Sequence, residues 1–511
     1  MKISAAVAPV PLIDPPDGTR SAGPGIWIAL WLVALASRLW AAFYIPNAEQ
    51  DGYSDAETIA RLTAGLSNGQ FRLADLYGFW LPLFQFIAAI LNIWLRDPLL
   101  SGKIVSSFCG GASCVLVFTI AYRLTHRMAL SLAVFVLVLL NPLHLLYSAA
   151  CMTDVPFGCL TLASLWFLLK DRWWAAAIFA ALAGAVRVEA WALIPLLPLL
   201  QFVRQRRVSP LLCLILISPL LGWLLISWMA RGDWFAFFAE RALYHAHYID
   251  FHPSRRGFAL ADVRGDIDYL LLGANQVVFI ASMVAAVSIS VEMLRRRRMT
   301  WACLATISYL FAILGLLVTA YMTKRQPVWL PRYGLFVFVL GLPLLAWLMQ
   351  LLIENAKPVW LGRVGAIVIF LGCASLVRPQ LPIIPHVLDD FRAHSMVADA
   401  LVANLEKSND QETRCFSDDV AVRVLSHLPA NRFLSSLGAP RDAWDQVALF
   451  ETYLREQHVG YLVFMATEDS LPVQHYPELG RHPAPRDGRF QLITSATSSF
   501  GPDVWLYRLL N

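Results

Sequence analysis

The sequence predicts an α-helical polytopic membrane protein that ends in a soluble α/β domain. Of its 511 residues, 58% are hydrophobic and only 15% are charged, and the mean hydropathy is +0.57; soluble proteins carry about a quarter charged residues. Apolar stretches of about 20 residues, the length that crosses a bilayer, recur almost to residue 380. Beyond that point the composition becomes polar. These observations exclude a soluble enzyme and the fibrous or disordered classes.

Apolar runs between charged or Pro/Gly breaks indicate twelve candidate spans. They lie at 26–45, 77–95, 103–122, 129–148, 155–169, 173–186, 189–203, 208–230, 268–292, 300–322, 333–353 and 364–377. Short basic loops prefer the cytoplasmic side of the membrane. The basic clusters of this chain can all face the cytoplasm only if one of the early apolar runs does not cross the membrane. We therefore predict about eleven spans, a cytoplasmic N-terminus and a run 77–95 that lies along the outer face. The net charge of +5 reflects this topology, so no nucleic-acid partner is expected.

The predicted organisation has three parts: a cytoplasmic segment 1–25, a transmembrane domain 26–379 with juxtamembrane helices in its outer loop 46–102, and an extracytoplasmic domain 380–511. The first apolar run is too long and too far in for a cleaved signal peptide, so we expect it to stay as an anchor. In the tail, helical patterns alternate with short strands. The helices are expected at 389–406, 418–425 and 444–457, and the strands at 461–465, 490–494 and 504–507.

Four carboxylates follow the first span within nine residues, at Glu49, Asp51, Asp55 and Glu57. A carboxylate at the edge of the bilayer can serve as a general base, because partial desolvation raises its affinity for a proton. The alternative is that an outer loop is acidic simply because it is solvated. Composition alone favours that alternative.

Three further charged residues lie at the outer ends of short apolar runs. Asp154 is either a functional carboxylate facing a cavity or the N-cap of the next helix. Arg187 and Glu189 either pair only with each other or, since burying such a pair requires further partners, help to hold an anionic group.

A cationic turn before a late span contains Lys324, Arg325 and Arg332, beside Tyr333. These cations lie outside and break the positive-inside pattern, which suggests an anionic ligand such as a phosphate, for which the planar fork of Arg332 is best suited. The alternative is a misassigned turn or a contact with lipid headgroups. His245 and His247 are the only hint of a metal ligand, so a divalent cation stays open and no other cofactor is predicted.

Together these features resemble the GT-C class of integral membrane glycosyltransferases, in particular the superfamily of protein O-mannosyltransferases and lipid A aminoarabinose transferases. The resemblance rests on order: acidic residues after the first span (Asp51, Asp55), an acidic second outer turn (Asp154), an Arg-x-Glu-x-Trp turn at 187–191 and a Pro-Arg-Tyr opening of a late span at 331–333. This chain has Asp51-Gly52 where many relatives have two adjacent acidic residues. The choice of the general base between Asp51 and Asp55 is therefore open. Asp51 is favoured because it matches the first acidic position after the span in the relatives.

The resemblance implies a catalytic membrane domain that moves a sugar from a polyprenyl-phosphate donor to an acceptor hydroxyl on the outer face of the cell inner membrane, with inversion. Asp51 would be the general base and Asp154 would orient the acceptor or assist the base. Arg332, with Lys324 or Arg187, would hold the phosphate. The acceptor, whether glycan, lipid or protein, and the sugar are left open by the sequence.

Two other functions compete with this one. A lipid-linked glycan ligase or polymerase would share the outer active site, but it should have a large outer loop late in the membrane region, and loop 323–332 is short. A secondary transporter or flippase would line a substrate path with intramembrane charges, but no inverted repeat is evident. We rank the transferase first, the ligase or polymerase second and the transporter third.

Overall fold

The computed structural model describes residues 24–47, 49–78, 80–242, 260–296, 301–323, 330–408, 412–436, 439–440, 442–465, 470–481, 488–498 and 502–510. Its membrane part is built from helices. They are α1 (Pro24–Tyr44), α2 (Gln50–Ser67), α3 (Leu83–Leu95), α4 (Pro98–Thr125), α5 (Met128–Leu140), α6 (Pro142–Ser148), α7 (Asp154–Leu169), α8 (Trp173–Gly184), α9 (Leu193–Gln205), α10 (Pro210–Arg231), α11 (Leu260–Ala274), α12 (Gln276–Arg296), α13 (Trp301–Met322), α14 (Pro331–Asn355) and α15 (Val359–Ser375). Short 3-10 turns occur at Leu73–Leu76 and Val188–Ala192.

Six helices within the described residues are long and apolar enough to cross a membrane, or eight if each of two bent pairs counts as one span. The chain is therefore a multi-pass membrane protein, although length and composition do not reproduce the predicted count of eleven. Two of the apolar runs that the sequence predicts as single spans each form two helices in the structure. The run 129–148 bends by 63° between α5 and α6, and the run 268–292 bends by 87° between α11 and α12.

Asparagines at both bends explain why the helices break there. The Asn141 side chain accepts a hydrogen bond from the His144 N–H at 2.7 Å, and Pro142, which has no N–H, begins α6. Asn275 has a φ of 57°, in the left-handed region, and its amide donates to the Cys373 carbonyl at 2.9 Å. Asn275 also caps the helix that follows it, as Asn141 does, because its Oδ1 accepts the Val278 N–H at 3.4 Å.

The run 77–95, predicted to lie along the outer face, contains a helix of only 13 residues, α3. At 1.5 Å per residue it is about 20 Å long, which is shorter than a hydrocarbon core of about 30 Å. One of its faces packs in the main core through Phe84, Ala88 and Ala89, beside Ile59 and Leu62 of α2. Helix α3 thus supports α2, the helix that carries Asp51 and Asp55.

The C-terminal part forms a five-stranded sheet of order β2-β1-β3-β5-β4, in which β1 is parallel to β2 and β3, and β5 is antiparallel to β3 and β4. The strands are β1 (Arg414–Ser417), β2 (Phe433–Leu434), β3 (Val459–Met465), β4 (Phe490–Ala496) and β5 (Val504–Leu509). The helices are α16 (Ile383–Ser408), α17 (Val420–Leu425), α18 (Asp442–Asp445), α19 (Val447–Glu456) and α20 (Leu471–His475). The predicted α/β pattern is therefore present, with β1 and β2 added. Helix α16 packs on the sheet through Val397, Ala398 and Leu401.

Candidate active site

Charged side chains from distant parts of the chain meet at one end of the helical part. The start of α2 brings Glu49 and Asp51, the start of α14 brings Arg332 and Tyr333, and the turns beside α7 and α8 bring Asp154, Arg187 and Glu189. Six of the seven belong to segments that the sequence places outside, and Tyr333 is the first residue of the predicted span 333–353. The sequence singled out six of them as site residues and counted Glu49 only as part of the acidic segment.

Arg332 binds two carboxylates of the first outer segment. Its Nη1 donates to Glu49 Oε2 at 2.6 Å and its Nη2 donates to Asp51 Oδ2. Glu49 also accepts a hydrogen bond from the Tyr147 hydroxyl. The Arg332 side chain is 4% exposed, whereas 38% of the Asp51 side chain is exposed. Asp51 is thus held by a cation and still open to a substrate.

Asp55, the other candidate for the base, has a different environment. It is buried and accepts a hydrogen bond from Gln85 Nε2 at 2.6 Å. Burial raises the pKa of Asp55 well above its usual value, and the Gln85 hydrogen bond only partly opposes this. Burial also raises the pKa of Glu49, against the attraction of Arg332. These two carboxyl groups therefore favour the protonated form more strongly than ordinary carboxyl groups do.

Arg187 forms a second cluster that is buried throughout. Its Nη1 donates to Asp154 Oδ1 at 2.8 Å, and its Nε and Nη2 donate to the two Glu189 oxygens at 3.2 and 2.6 Å. Asp154 is not the helix cap that the sequence allowed, because Thr153 is the N-cap of α7 and makes no side-chain capping bond. In the described part of the chain, Asp154 Oδ2 has no hydrogen-bond partner.

Tyr333 lies between the two clusters. The guanidinium carbons of Arg187 and Arg332 are each 5.5 Å from the centre of its ring, within the range of a cation–π interaction. Asp154 also lies near enough to interact electrostatically with Arg332. The two clusters are therefore neighbours in one site.

A mainly apolar cavity of about 610 Å³ opens beside Tyr333 and Arg187. Aromatic side chains that line it are Trp80, Trp191, Phe235, Phe237 and Phe238, and the charged ones are Arg187, Glu189 and Arg241. The sequence analysis missed Arg241. The signal that could have found it is a lone arginine after the aromatic segment 234–238 in an outer loop.

Asn47 forms hydrogen bonds to both acidic loops of the site, the one that contains Glu49 and the one that precedes Asp154. Its Nδ2 donates to the Glu49 carbonyl at 2.9 Å, and its Oδ1 accepts the Cys151 N–H at 2.8 Å, three residues before Asp154. The Asn47 amide lies directly against Gly52, so that a Cβ at position 52 would overlap it. This explains why glycine follows Asp51 here, where the resemblance suggests a second acidic residue. Asn47 was also missed, since a lone asparagine after a span carries no pattern.

Four predicted residues cannot be placed. Lys324, Arg325, His245 and His247 lie outside the residues that the structure describes. No group of three histidine, cysteine or acidic side chains suited to a metal ion occurs in the described ranges. The divalent cation therefore stays an open prediction.

The helical membrane part and the appended sheet together identify the architecture. The chain has the GT-C fold. It matches the crystal structure of ArnT from Cupriavidus metallidurans bound to undecaprenyl phosphate with a TM-score of 0.57 and 11% identity, over 95% of this chain and 98% of that one. It also matches the archaeal oligosaccharyltransferase AglB from Archaeoglobus fulgidus, in complex with an inhibitory peptide and a dolichol-phosphate, with a TM-score of 0.52 and 10% identity, over 88% of this chain and 70% of that one.

The GT-C fold confirms the resemblance drawn from the order of the charged residues. No family model and no curated protein matches the sequence. At 10–11% identity the likeness shows the GT-C fold and leaves the roles of individual residues to the geometry of the site.

Proposed function

We propose that the protein is a glycosyltransferase that moves a sugar from a polyprenyl-phosphate donor to a hydroxyl of a glycan, lipid or protein acceptor. The observation that carries the proposal is the Arg332 guanidinium bound to Asp51, one residue before Tyr333 of a mainly apolar cavity whose lining includes Arg187 and Arg241. Two proteins with this fold have structures with a polyprenyl or dolichol phosphate bound, which supports a lipid phosphate as the donor's carrier.

The donor has an apolar chain and an anionic head, and the cavity offers surfaces for both. Its aromatic walls suit the isoprenoid units nearest the phosphate. Planar guanidinium donors, which suit phosphate oxygens, come from Arg187 and Arg241 in the cavity wall. Arg332, beside Tyr333, supplies a third. The Arg332 Nε has no hydrogen-bond partner among the described residues, so the guanidinium has one donor that its two carboxylates do not use.

Asp51 is the best candidate for the general base. It is the most exposed carboxylate of the two clusters and lies one residue inside α2, at the mouth of the site. Asp55 is buried against Gln85, and Asp154 is engaged by Arg187. Asp154 Oδ2, which has no hydrogen-bond partner among the residues that the structure describes, is suited to orienting the acceptor hydroxyl, while Glu189 completes the charge balance around Arg187.

The reaction is a single displacement. Asp51 takes the proton of the acceptor hydroxyl as its oxygen bonds to the anomeric carbon, and the bond from that carbon to the phosphate oxygen breaks. Polyprenyl phosphate leaves with the bonding pair, and the arginines stabilise the negative charge that grows on it. Attack opposite to the leaving group inverts the anomeric centre.

The proposed setting is the outer face of the cell inner membrane, with the N-terminus in the cytoplasm and the domain 380–511 outside. Nucleotide sugars are absent there, which favours a donor that arrives through the lipid. The positive-inside pattern of the short loops supports this orientation.

Turnover of a panel of radiolabelled polyprenyl-phosphate sugars by the purified protein tests the proposal. We expect Asp51→Asn to lower kcat by roughly 100- to 10,000-fold, because it removes the base. Asp75→Asn is the matched control, since Asp75 pairs with Arg72 on the same outer segment but away from the site. Full activity in Asp51→Asn, or no turnover of any donor by the wild type, contradicts the proposal.

A further inference from the structure

The C-terminal domain contacts the helix that carries the proposed base. The Gln50 side chain at the start of α2 reaches the first turn of α17, where its Oε1 accepts the Ala421 N–H at 3.0 Å. Its Nε2 lies 3.4 Å from Asp419 Oδ1 and 3.0 Å from His394 Nε2. One amide thus joins α2 to both α16 and α17 of the other domain.

The partners of Gln50 form a rigid anchor. His394 and Asp419 are 3% and 0% exposed, and His394 Nε2 lies 3.0 Å from Asp419 Oδ2. Asp419 also caps α17 by accepting the Val422 N–H at 3.0 Å. The His394 ring is also held from its other side, because its Nδ1 lies 2.7 Å from the Asp390 carbonyl oxygen. Groups fixed in this way hold the Gln50 side chain in one place.

Among the described residues, no side chain caps the start of α2. Its N-cap residue, Glu49, makes no side-chain capping hydrogen bond, because its carboxylate is bound to Arg332 and Tyr147 instead. A helix start without a side-chain cap leaves N–H groups without a side-chain partner and frays more easily. Asp51 lies in this first turn, so its direction depends on what holds the residues beside it.

We propose that Gln50 is a positioning residue through which the C-terminal domain sets the geometry of Asp51. The inference rests on the proposed function, in which Asp51 is the base. It assigns the soluble domain a direct part in the reaction: the active site is complete only when that domain is docked on α2.

A second contact between the same two domains supplies the matched control. Arg423 of α17 binds Glu57 with Nε and Nη2 at 2.9 and 3.0 Å. Glu57 lies seven residues after Gln50, on the same face of α2 but two turns away from the base. Loss of this ion pair weakens docking without touching the first turn.

Steady-state kinetics of Gln50→Ala and Glu57→Gln test the proposal. We expect Gln50→Ala to lower kcat roughly 10- to 100-fold through misplacement of the base, with the KM for the donor within about twofold of the wild type. Glu57→Gln should keep kcat within about twofold. Unchanged kcat in Gln50→Ala, or an equal loss in both variants, overturns the proposal.

Hydrogen exchange of the full-length protein in detergent gives a readout that needs no substrate. Gln50→Ala should speed exchange of the α2 amides at 54–56, which donate to carbonyl groups of the first turn, and Glu57→Gln should not. If the wild type turns over no donor, the proposed function fails. The exchange data then decide by themselves whether Gln50 anchors α2. Equal protection from exchange in the wild type and in Gln50→Ala would reject the anchoring role of Gln50.

Discussion

Two arginines in the site each hold a pair of carboxylates, but in different surroundings. The partners of Arg332 are partly open, with side-chain exposures of 25% for Glu49 and 38% for Asp51. The partners of Arg187 are closed in, with exposures of 1% for Asp154 and 10% for Glu189. The first cluster can exchange a carboxylate for a substrate group, whereas the second must stay intact to keep its buried charges compensated. We therefore interpret the first as the reacting cluster and the second as a scaffold that keeps its ion pairs intact while it faces the phosphate and the acceptor.

Removal of the scaffold arginine should have the largest effect on stability. Arg187→Ala leaves Asp154 and Glu189 buried without a counter-charge, which costs about 3 to 5 kcal/mol of unfolding free energy. Unfolding in detergent measures this, with Arg332→Ala as the comparison, since its partners can hydrate. Equal losses in the two variants would contradict the distinction between the clusters.

Arg332→Lys should affect the rate more than the stability. Lysine cannot bind Glu49 and Asp51 with a planar fork, so we expect kcat to fall roughly 10- to 100-fold while the melting temperature changes little. Initial rates with a single donor check this. Arg127→Lys, which alters an exposed pair with Glu354, is the control and should behave like the wild type.

The link between the clusters can be tested by a double-mutant cycle. Asn47→Ala removes bonds to the Glu49 carbonyl and the Cys151 N–H, which we expect to cost about 1 to 3 kcal/mol. Gly52→Ala should also destabilise, because its Cβ overlaps the Asn47 amide. The double variant should lose less than the two single changes together, since removal of the Asn47 amide leaves room for the new Cβ. Strict additivity in denaturation experiments would show that the two residues are independent.

The contact between the C-terminal domain and α2 should depend on pH. Burial by itself lowers the pKa of His394, but the carboxylates of Asp419 and Asp390 raise it to about 9. The same two carboxylates interact with the Tyr53 hydroxyl, and the Gln50 amide faces the ring from α2. Because the pKa is raised on folding, the stabilisation is complete below about 6.5 and is lost as pH rises through about 9. Thermal melts across this range check the trend, and His394→Gln should flatten it.

Asp55→Asn should have the smallest effect. Burial holds the pKa of Asp55 well above its usual value, and an asparagine resembles the protonated carboxyl and can donate to Gln85 Oε1, which lacks a partner in the described residues. We expect kcat within about threefold of the wild type, because the base is elsewhere. A loss as large as that of Asp51→Asn would move the base to Asp55.

Much of the fold follows from local patterns. The main apolar runs and the alternation of helices and strands after residue 380 agree with the structure, since hydropathy and its period act within a few residues. The bends at Asn141 and Asn275 were not predicted, because each depends on a side chain that satisfies backbone groups at one point of an otherwise apolar run.

The sequence by itself determined that this is a polytopic membrane protein and predicted that charged residues gather on one side of it, because both depend on the transfer of side chains between lipid and water. Only the tertiary structure decided which carboxylate meets which arginine. Arg332 and Glu49 are 283 residues apart, and their contact depends on how α2 and α14 pack. The same is true of Tyr147, Arg241 and Asn47, whose roles come from the partners that packing brings to them.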